Sequence, residues 1–157
     1  MPYDPRMIQP FRDELTAAGF TELHTAAEVD ASVTQKGTTL VVVNSVCGCA
    51  AGQARPGVAL AVRHPLRPER LVTVFAGQDL EATAQARSYF TGASPSSPSI
   101  GILRDGKLVY LLRRHEIQMM DARAVAGALG AAFEAVAAGS VAASPTPAAN
   151  LELPARV

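Results

Sequence analysis

Residues 41–52 read Val-Val-Val-Asn-Ser-Val-Cys-Gly-Cys-Ala-Ala-Gly, and this stretch holds both cysteines of the 157-residue chain. The run of β-branched residues predicts a strand that is buried on both faces, as in a parallel sheet. The small residues after the cysteines predict a helix. The stretch therefore predicts a central strand that delivers two thiols to the N-terminal end of a helix.

Two thiols in this position have a physical reason to be reactive. The unpaired N–H groups and partial positive charge at a helix N-terminus favour a thiolate, which is the form that attacks a disulfide. Cys47 is the predicted nucleophile because it lies closer to those N–H groups, and Cys49 is the predicted resolving thiol. Ser45 and Gly48 are expected to support the backbone here, with Gly48 adopting dihedral angles that a Cβ would forbid.

Composition narrows the classes of partner. The chain has 14 Lys plus Arg and 14 Asp plus Glu, so a net charge of zero gives no support for nucleic-acid binding. No apolar run reaches the ~18 residues of a membrane span. Residues 1–6 lack the apolar core of a signal peptide. We therefore expect a cytoplasmic protein without nucleic-acid or membrane partners, in a compartment that keeps cysteines reduced.

The rest of the chain alternates between helical and strand patterns. Strands are predicted over 20–24, 38–43, 71–75, 99–103 and 108–112, and helices over 5–18, 26–34, 48–63, 79–90 and from 121 onward. Thr25 with Glu28 predicts a capping box, and Asp79 and Asp121 are predicted helix caps. Pro56 is expected to kink the helix after the cysteines.

The composition divides the chain into two regions. Residues 1–138 are predicted to form one α/β domain, in which right-handed crossovers order the parallel part of the sheet. Residues 139–157 are dominated by Ala, Ser and Pro without periodicity, and they are predicted to form a disordered tail.

The cysteine segment also resembles a known family. Residues 44–52, followed by Ala54-Arg55-Pro56, are similar to the active-site segment of the bacilliredoxins, and residues 73–79, 89–93, 95–99 and 114–117 agree. The resemblance covers about residues 7–135. It implies a thioredoxin-like fold, with a central mixed β-sheet flanked by helices and the Cys-Gly-Cys at a helix N-terminus.

The resemblance also implies an activity. It points to a thiol–disulfide oxidoreductase that removes bacillithiol from mixed disulfides on client proteins, with weak disulfide isomerase activity. Bacillithiol would be the co-substrate, and no cofactor or metal would be needed. The implied partners are bacillithiolated clients, bacillithiol and a flavoprotein disulfide reductase, while the sequence leaves a homodimer open.

Two further features have competing interpretations. The resemblance places a cis-proline at Ser97-Pro98, where the Ser97 backbone would pair with an extended substrate, although Pro95 and Pro98 would also serve to stiffen a loop. His115 receives no role beyond a structural hydrogen bond. A basic cluster would either attract the acidic parts of a small thiol or form a solvated face. The cluster consists of Arg55, Arg63, His64, Arg67 and Arg70.

Two other functions remain open at this stage. Two thiolates supply half of a tetrahedral zinc site, and a second copy would complete a zinc or iron–sulfur site. The three histidines have no paired ligand spacing. A metal or cluster carrier is therefore the alternative to the enzyme, and metal analysis separates the two. A third interpretation is an interaction module with incidental cysteines, for which Cys47→Ser would leave the activity unchanged.

Overall fold

A computed structural model describes residues 2–139 of the chain. Within this range no helix has the length and apolar character needed to cross a membrane. The predicted tail, apart from Gly139, lies outside the described residues. The elements are α1 Pro5–Ala17, β1 Thr21–Glu22, α2 Ala26–Val33, β2 Thr38–Asn44, a π-helical turn Ala50–Ala54, α3 Arg55–Ala61, β3 Arg70–Phe75, α4 Leu80–Ser88, β4 Ser99–Arg104, β5 Lys107–Leu112, α5 Arg114–Ile117 and α6 Ala122–Ala137.

The strands form one mixed sheet in the order β1-β3-β2-β4-β5. Strands β1 and β2 run parallel to β3, whereas β4 is antiparallel to both β2 and β5. Helices cover both faces, which confirms the thioredoxin-like α/β fold. We call the end of the sheet at Asn44, Phe75 and Ser99 the thiol end, and the end at Thr38, Arg70 and Arg104 the opposite end.

Strand β2 lies at the centre and is buried on both faces, as the β-branched run predicted. Leu40 and Val42 point into a core cluster that includes residues of α3 and α6. Val41 and Val43 point into a second cluster formed with α2 and α4. This alternation follows from the two-residue period of a strand, and it holds the segment after Asn44 in a fixed position.

The predicted capping signals at the starts of α2 and α6 are confirmed. The capping box at α2 is present, with the Glu28 N–H donating to the Thr25 hydroxyl at 3.1 Å. The Ala124 N–H donates to the Asp121 carboxylate at 2.8 Å and caps α6. The hairpin between β4 and β5 turns at Asp105 and Gly106, whose φ angles are both positive at 52° and 81°. Such angles are those of a tight type I′ turn.

Asp79 lies at the predicted N-cap position of α4, but its side chain does not have the predicted capping role. Its carboxylate makes no capping bond to α4. It instead accepts hydrogen bonds from the Arg12 guanidinium at 2.9 and 3.1 Å and from the Phe75 N–H at 3.1 Å. Burial raises the pKa of Asp79, but the bonds from Arg12 and His24 and the charge of Arg12 have the larger combined effect. The pKa of Asp79 is therefore lowered. A partner 67 residues away therefore overrides the local pattern.

The helix after the cysteines is distorted, as expected, but the distortion is a widened turn before Pro56. The Arg55 N–H donates to the Ala50 carbonyl, which is the i to i+5 pattern of a π-helix. Proline has no N–H to donate and its ring would clash with the carbonyl four residues earlier, here that of Gly52. The wider turn accommodates the ring, and α3 then continues to Ala61.

Candidate active site

Both cysteines lie at the thiol end, with Cys47 just before the helical segment that begins at Gly48 and Cys49 in its first turn. Each is a free, partly exposed thiol, and the two Sγ atoms are 3.0 Å apart. The Ala50 and Ala51 N–H groups donate to the Cys47 carbonyl, so Cys47 directly precedes the first helical turn. The predicted placement of a thiol pair at a helix start is therefore what the structure shows.

Ser45 makes two hydrogen bonds to Cys47. Its hydroxyl donates to Cys47 Sγ at 3.3 Å and accepts from the Cys47 N–H at 3.3 Å. The Ser45 N–H in turn donates to the Asn44 side-chain carbonyl at 2.9 Å. Ser45 is buried, so its hydroxyl has a fixed direction toward the sulfur.

The pKa values of the two thiols are shifted in opposite directions. Burial raises the pKa of Cys47, but hydrogen bonds from Cys49, the Ser45 hydroxyl and the Ala50 and Cys49 N–H groups outweigh it and lower the pKa. Burial, the bond to Cys47 and repulsion by its charge raise the pKa of Cys49, and the Arg114 charge opposes this only in part. Cys47 is therefore the thiol that loses its proton more readily, and Cys49 is the one that keeps it.

The expected reason for Gly48 is wrong. Gly48 does not have a positive φ angle, and a Cβ built at this position has no atom within 4 Å. Neither backbone conformation nor close packing therefore requires glycine here. Gly48 is exposed between the two cysteines.

Arg55, which belongs both to the segment that resembles the family's active site and to the predicted basic cluster, is part of the site. Its side chain is 1% exposed, and its guanidinium donates to Asn44 Oδ1 at 3.0 Å and to the Ser45 carbonyl at 2.8 Å. It also pairs with Glu14 at 3.1 Å and lies 4.6 Å from the Phe11 ring centroid. Arg55 thus holds the backbone that carries the Ser45 hydroxyl, and no local sequence signal identifies these partners.

The Ser97–Pro98 peptide bond is cis, as the resemblance implied. Strand β4 begins at the next residue, Ser99, which pairs with Val43 of β2. This register places the Ser97–Pro98 bond beside the segment that carries the cysteines. The Arg114 guanidinium donates to the Ser97 carbonyl at 3.3 Å, so the first residue of α5 also reaches the thiol end. Binding of an extended substrate by Ser97 remains a prediction.

The rest of the predicted basic cluster is far from the thiols. Arg70 pairs with Thr39 of β2 at the opposite end of the sheet, and seven strand residues span about 20 Å. The segment between α3 and Arg70 carries the other members, and there His64 pairs with Glu134 at 2.9 Å. Apart from Arg55, the cluster of Arg63, His64, Arg67 and Arg70 is therefore not part of the site.

The histidines do not complete a metal site with the cysteines. Within residues 2–139, no group of three or more His, Cys, Asp or Glu side chains converges to hold a metal ion. His24 contacts Asp79, His64 pairs with Glu134, and the His115 ring lies 3.4 Å from the Arg113 guanidinium. A carrier function would therefore draw on the thiolates of a second copy.

Comparisons with known proteins agree with this geometry. A family model described as disulphide isomerase matches residues 3–137. A bacilliredoxin of Geobacillus kaustophilus is 54% identical over 128 residues, covering 82% of this chain and 88% of that protein. A bacilliredoxin of Koribacter versatilis is 52% identical over 133 residues, covering 84% and 92%. The chain belongs to the bacilliredoxin family.

Membership of this family supports a redox function based on thiol–disulfide chemistry. A bacilliredoxin of Shouchella clausii, 56% identical over 112 residues and covering 71% of this chain and 79% of that protein, has the same family name. The family model is described by disulfide chemistry, and the relatives are named as redox proteins. The thiol pair at the start of a helix is the part of the structure that can carry such chemistry.

Proposed function

We propose that this protein is a thiol–disulfide oxidoreductase that removes bacillithiol from mixed disulfides on client proteins. The observation that carries the proposal is the pair of free thiols 3.0 Å apart, of which Cys47 has a lowered and Cys49 a raised pKa. Such a pair supplies a nucleophilic thiolate and a neighbouring thiol in one site. Family membership supports the reaction class, and the bacillithiol substrate rests on the resemblance.

In the first step, the Cys47 thiolate attacks the bacillithiol sulfur of the mixed disulfide. A bond forms between Cys47 Sγ and that sulfur, and the bond between bacillithiol and the client cysteine breaks. The client sulfur leaves as a thiolate and takes a proton from solvent. One disulfide is exchanged for another, so the step needs no oxidant or reductant.

In the second step, bacillithiol leaves Cys47 by one of two routes. Cys49 attacks Cys47 Sγ after losing its proton, which forms the intramolecular disulfide and releases bacillithiol. Alternatively, a free bacillithiol molecule attacks the sulfur of the bacillithiol that is bound to Cys47. This forms bacillithiol disulfide and frees Cys47. Burial, the bond to Cys47 and the Cys47 negative charge raise the pKa of Cys49, and the last of these causes is lost in the adduct.

The same site defines the remaining partners and the setting. Restoring the thiols requires a reductant, for which a flavoprotein disulfide reductase acting on the bacillithiol pool is proposed. Free thiols at the site fit the reducing cytoplasm. The two partly exposed thiols could also react with a client disulfide, which supports weak isomerase activity, and the description of the matching family model is consistent with it. Neither step uses a metal or an organic cofactor.

The test is intact mass after the reduced protein is mixed with a bacillithiolated client. We compare wild type, Cys49→Ala and Cys47→Ser. An adduct on Cys47 that persists in Cys49→Ala, with the client released as a free thiol, supports transfer with Cys49 as the resolving residue. An adduct of equal lifetime in both supports transfer and resolution by free bacillithiol.

One result would overturn the proposal. If the client stays modified and no adduct forms on wild type, the oxidoreductase reaction is not the function of this site. Zinc or iron bound in stoichiometric amount to the purified protein would then favour the carrier. A client that is reduced equally well by Cys47→Ser would assign the activity to another group.

A further inference from the structure

A groove opens beside the loop that contains the cis-proline. It has a volume of about 310 Å³, and its walls are the Ser94–Ser96 segment and the start of α5 with the residue before it. The second wall contributes Arg113, Arg114 and His115. Among the described residues that line the groove, none is acidic.

The groove lies at the thiol end. Strand β5 ends at Leu112, which follows from the pairing of Leu112 with Ile100 near the start of β4. Arg113 and Arg114 therefore leave the sheet beside Ser97–Pro98, and the Arg114 guanidinium bonds the Ser97 carbonyl. Its charge also acts on the thiol of Cys49, although burial and Cys47 have larger effects on that pKa. The groove and the thiols thus share one edge of the sheet.

The nearby charges leave this groove positive. Glu116 is buried, and its carboxylate accepts the Arg113 N–H at 2.7 Å inside α5. Arg87 of α4 also reaches the groove wall, where its guanidinium donates a hydrogen bond to the Ser96 carbonyl at 3.4 Å. A guanidinium has five N–H donors, so the bond to Ser97 leaves Arg114 with donors for a carboxylate. Arg114 and His115 are exposed to solvent, where a ligand can reach them.

We propose that this groove binds the carboxylate groups of the small thiol in the mixed disulfide and turns that thiol's sulfur toward Cys47. The inference rests on the proposed transfer reaction and names the substrate feature that the site recognises. One role that the sequence predicts for the basic cluster is to attract the acidic groups of a small thiol. The inference assigns this attraction to Arg114 and its neighbours instead of the residues from Arg63 to Arg70. The orientation matters because attack on the client sulfur would instead attach the client to Cys47.

The test compares two model substrates in the Cys49→Ala background, which removes any effect of Arg114 on Cys49. One cysteine peptide is converted to its mixed disulfide with mercaptosuccinate, which has two carboxylates, or with mercaptoethanol, which has none. Intact mass gives the rate at which each small thiol appears on Cys47. The ratio of the two rates isolates carboxylate recognition, because a general change in Cys47 reactivity affects both substrates.

We expect the background protein to prefer mercaptosuccinate, and Arg114→Gln to reduce the rate ratio by about three- to tenfold, the effect of losing a charge-assisted hydrogen bond. Arg114→Lys should restore part of the ratio. Arg123→Gln, which removes an exposed arginine from α6, should leave it unchanged. A ratio near one in the background protein, or an unchanged ratio in Arg114→Gln, overturns the inference while transfer itself stands. Absence of both adducts overturns the proposed function, and the inference with it.

Discussion

The two ends of the sheet each hold an arginine against β2, but the two side chains differ in burial and in what they hold. At the thiol end, Arg55 is fully buried and binds the Asn44 side chain and the Ser45 carbonyl. At the opposite end, Arg70 is half-buried and binds the Thr39 hydroxyl and the Gln35 carbonyl. Burial at the thiol end makes the backbone before Cys47 rigid, whereas the opposite end only joins the sheet to a loop.

Replacing each arginine in turn tests this difference most strongly. Arg55→Met should lower the free energy of unfolding by about 2–3 kcal/mol, because it leaves a buried carbonyl without a donor. The value is below that of a fully buried ion pair since the Glu14 side chain is 46% exposed. Arg70→Met should cost less than about 1 kcal/mol. Urea unfolding measures both, and Arg55→Lys should recover part of the loss.

The same arginine variants have a second measurement that separates a positioning role from a purely structural one. Arg55→Met should slow alkylation of Cys47 at neutral pH under conditions where the variant remains folded, because the Ser45 hydroxyl loses its fixed direction. Arg70→Met should alkylate at the wild-type rate. Equal unfolding free energies for the two variants, or unchanged alkylation in folded Arg55→Met, would remove the distinction between the ends.

A carboxylate pair gives the next largest expected effect. Asp79 at the thiol end accepts hydrogen bonds from the Arg12 guanidinium and the Phe75 N–H and contacts the His24 ring. Exposed Glu69 at the opposite end accepts a hydrogen bond from the Thr38 N–H at 3.0 Å. Asp79→Asn should cost about 1–2 kcal/mol of unfolding free energy at pH 7, and Glu69→Gln less than about 0.5 kcal/mol.

The cost of Asp79→Asn should depend on pH in a defined direction. The folded-state pKa of Asp79 is lowered, so its contribution is present above the ordinary pKa of an aspartate and is lost as the pH falls through the lower folded-state value. Urea titrations from pH 7 downward should therefore show the difference between wild type and Asp79→Asn shrinking. A difference that grows toward low pH would contradict the assigned ion pair.

A hydroxyl pair sharpens the comparison with the smallest effect. In a Cys49→Ala background, Ser45→Ala removes the bond to Cys47 Sγ, which should raise the pKa of Cys47 and move its alkylation profile to higher pH. The alkylation rate at neutral pH should fall about threefold, as for the loss of one modest hydrogen bond. Thr38→Ala, which removes a hydroxyl at the opposite end, should leave the profile unchanged. A shift to lower pH in Ser45→Ala would contradict the hydroxyl as a donor.

Much of the thiol end could be predicted because its signals are local. The β-branched run fixed β2 at the centre of the sheet, and the adjacent cysteines followed it. Thr25 and Asp121 cap their helices with bonds that span three residues. Such contacts are encoded in a short window of sequence, and the structure confirms them.

Apart from the reason given for Gly48, the errors and omissions involve partners that are 10 or more residues apart in sequence. Asp79 is of a residue type that often caps helices, but its carboxylate binds Arg12, 67 residues earlier. Arg55 was grouped with the charges that follow it, whereas its partners Asn44 and Ser45 precede it. Arg114 reaches Ser97 across the end of the sheet, 17 residues back. Only tertiary packing brings these groups together, so composition and spacing could not assign them.

The π-helical turn works as an inserted residue in a helix that would otherwise be one step shorter. Each residue of an α-helix rotates the next side chain by about 100°. The extra residue in Ala50–Ala54 therefore sets the rotation at which Arg55 leaves the helix. Deleting one residue there would restore α-helical spacing but turn the guanidinium away from Asn44 and Ser45. The contacts of Arg55 with Asn44 and Ser45 thus constrain the length of this short segment.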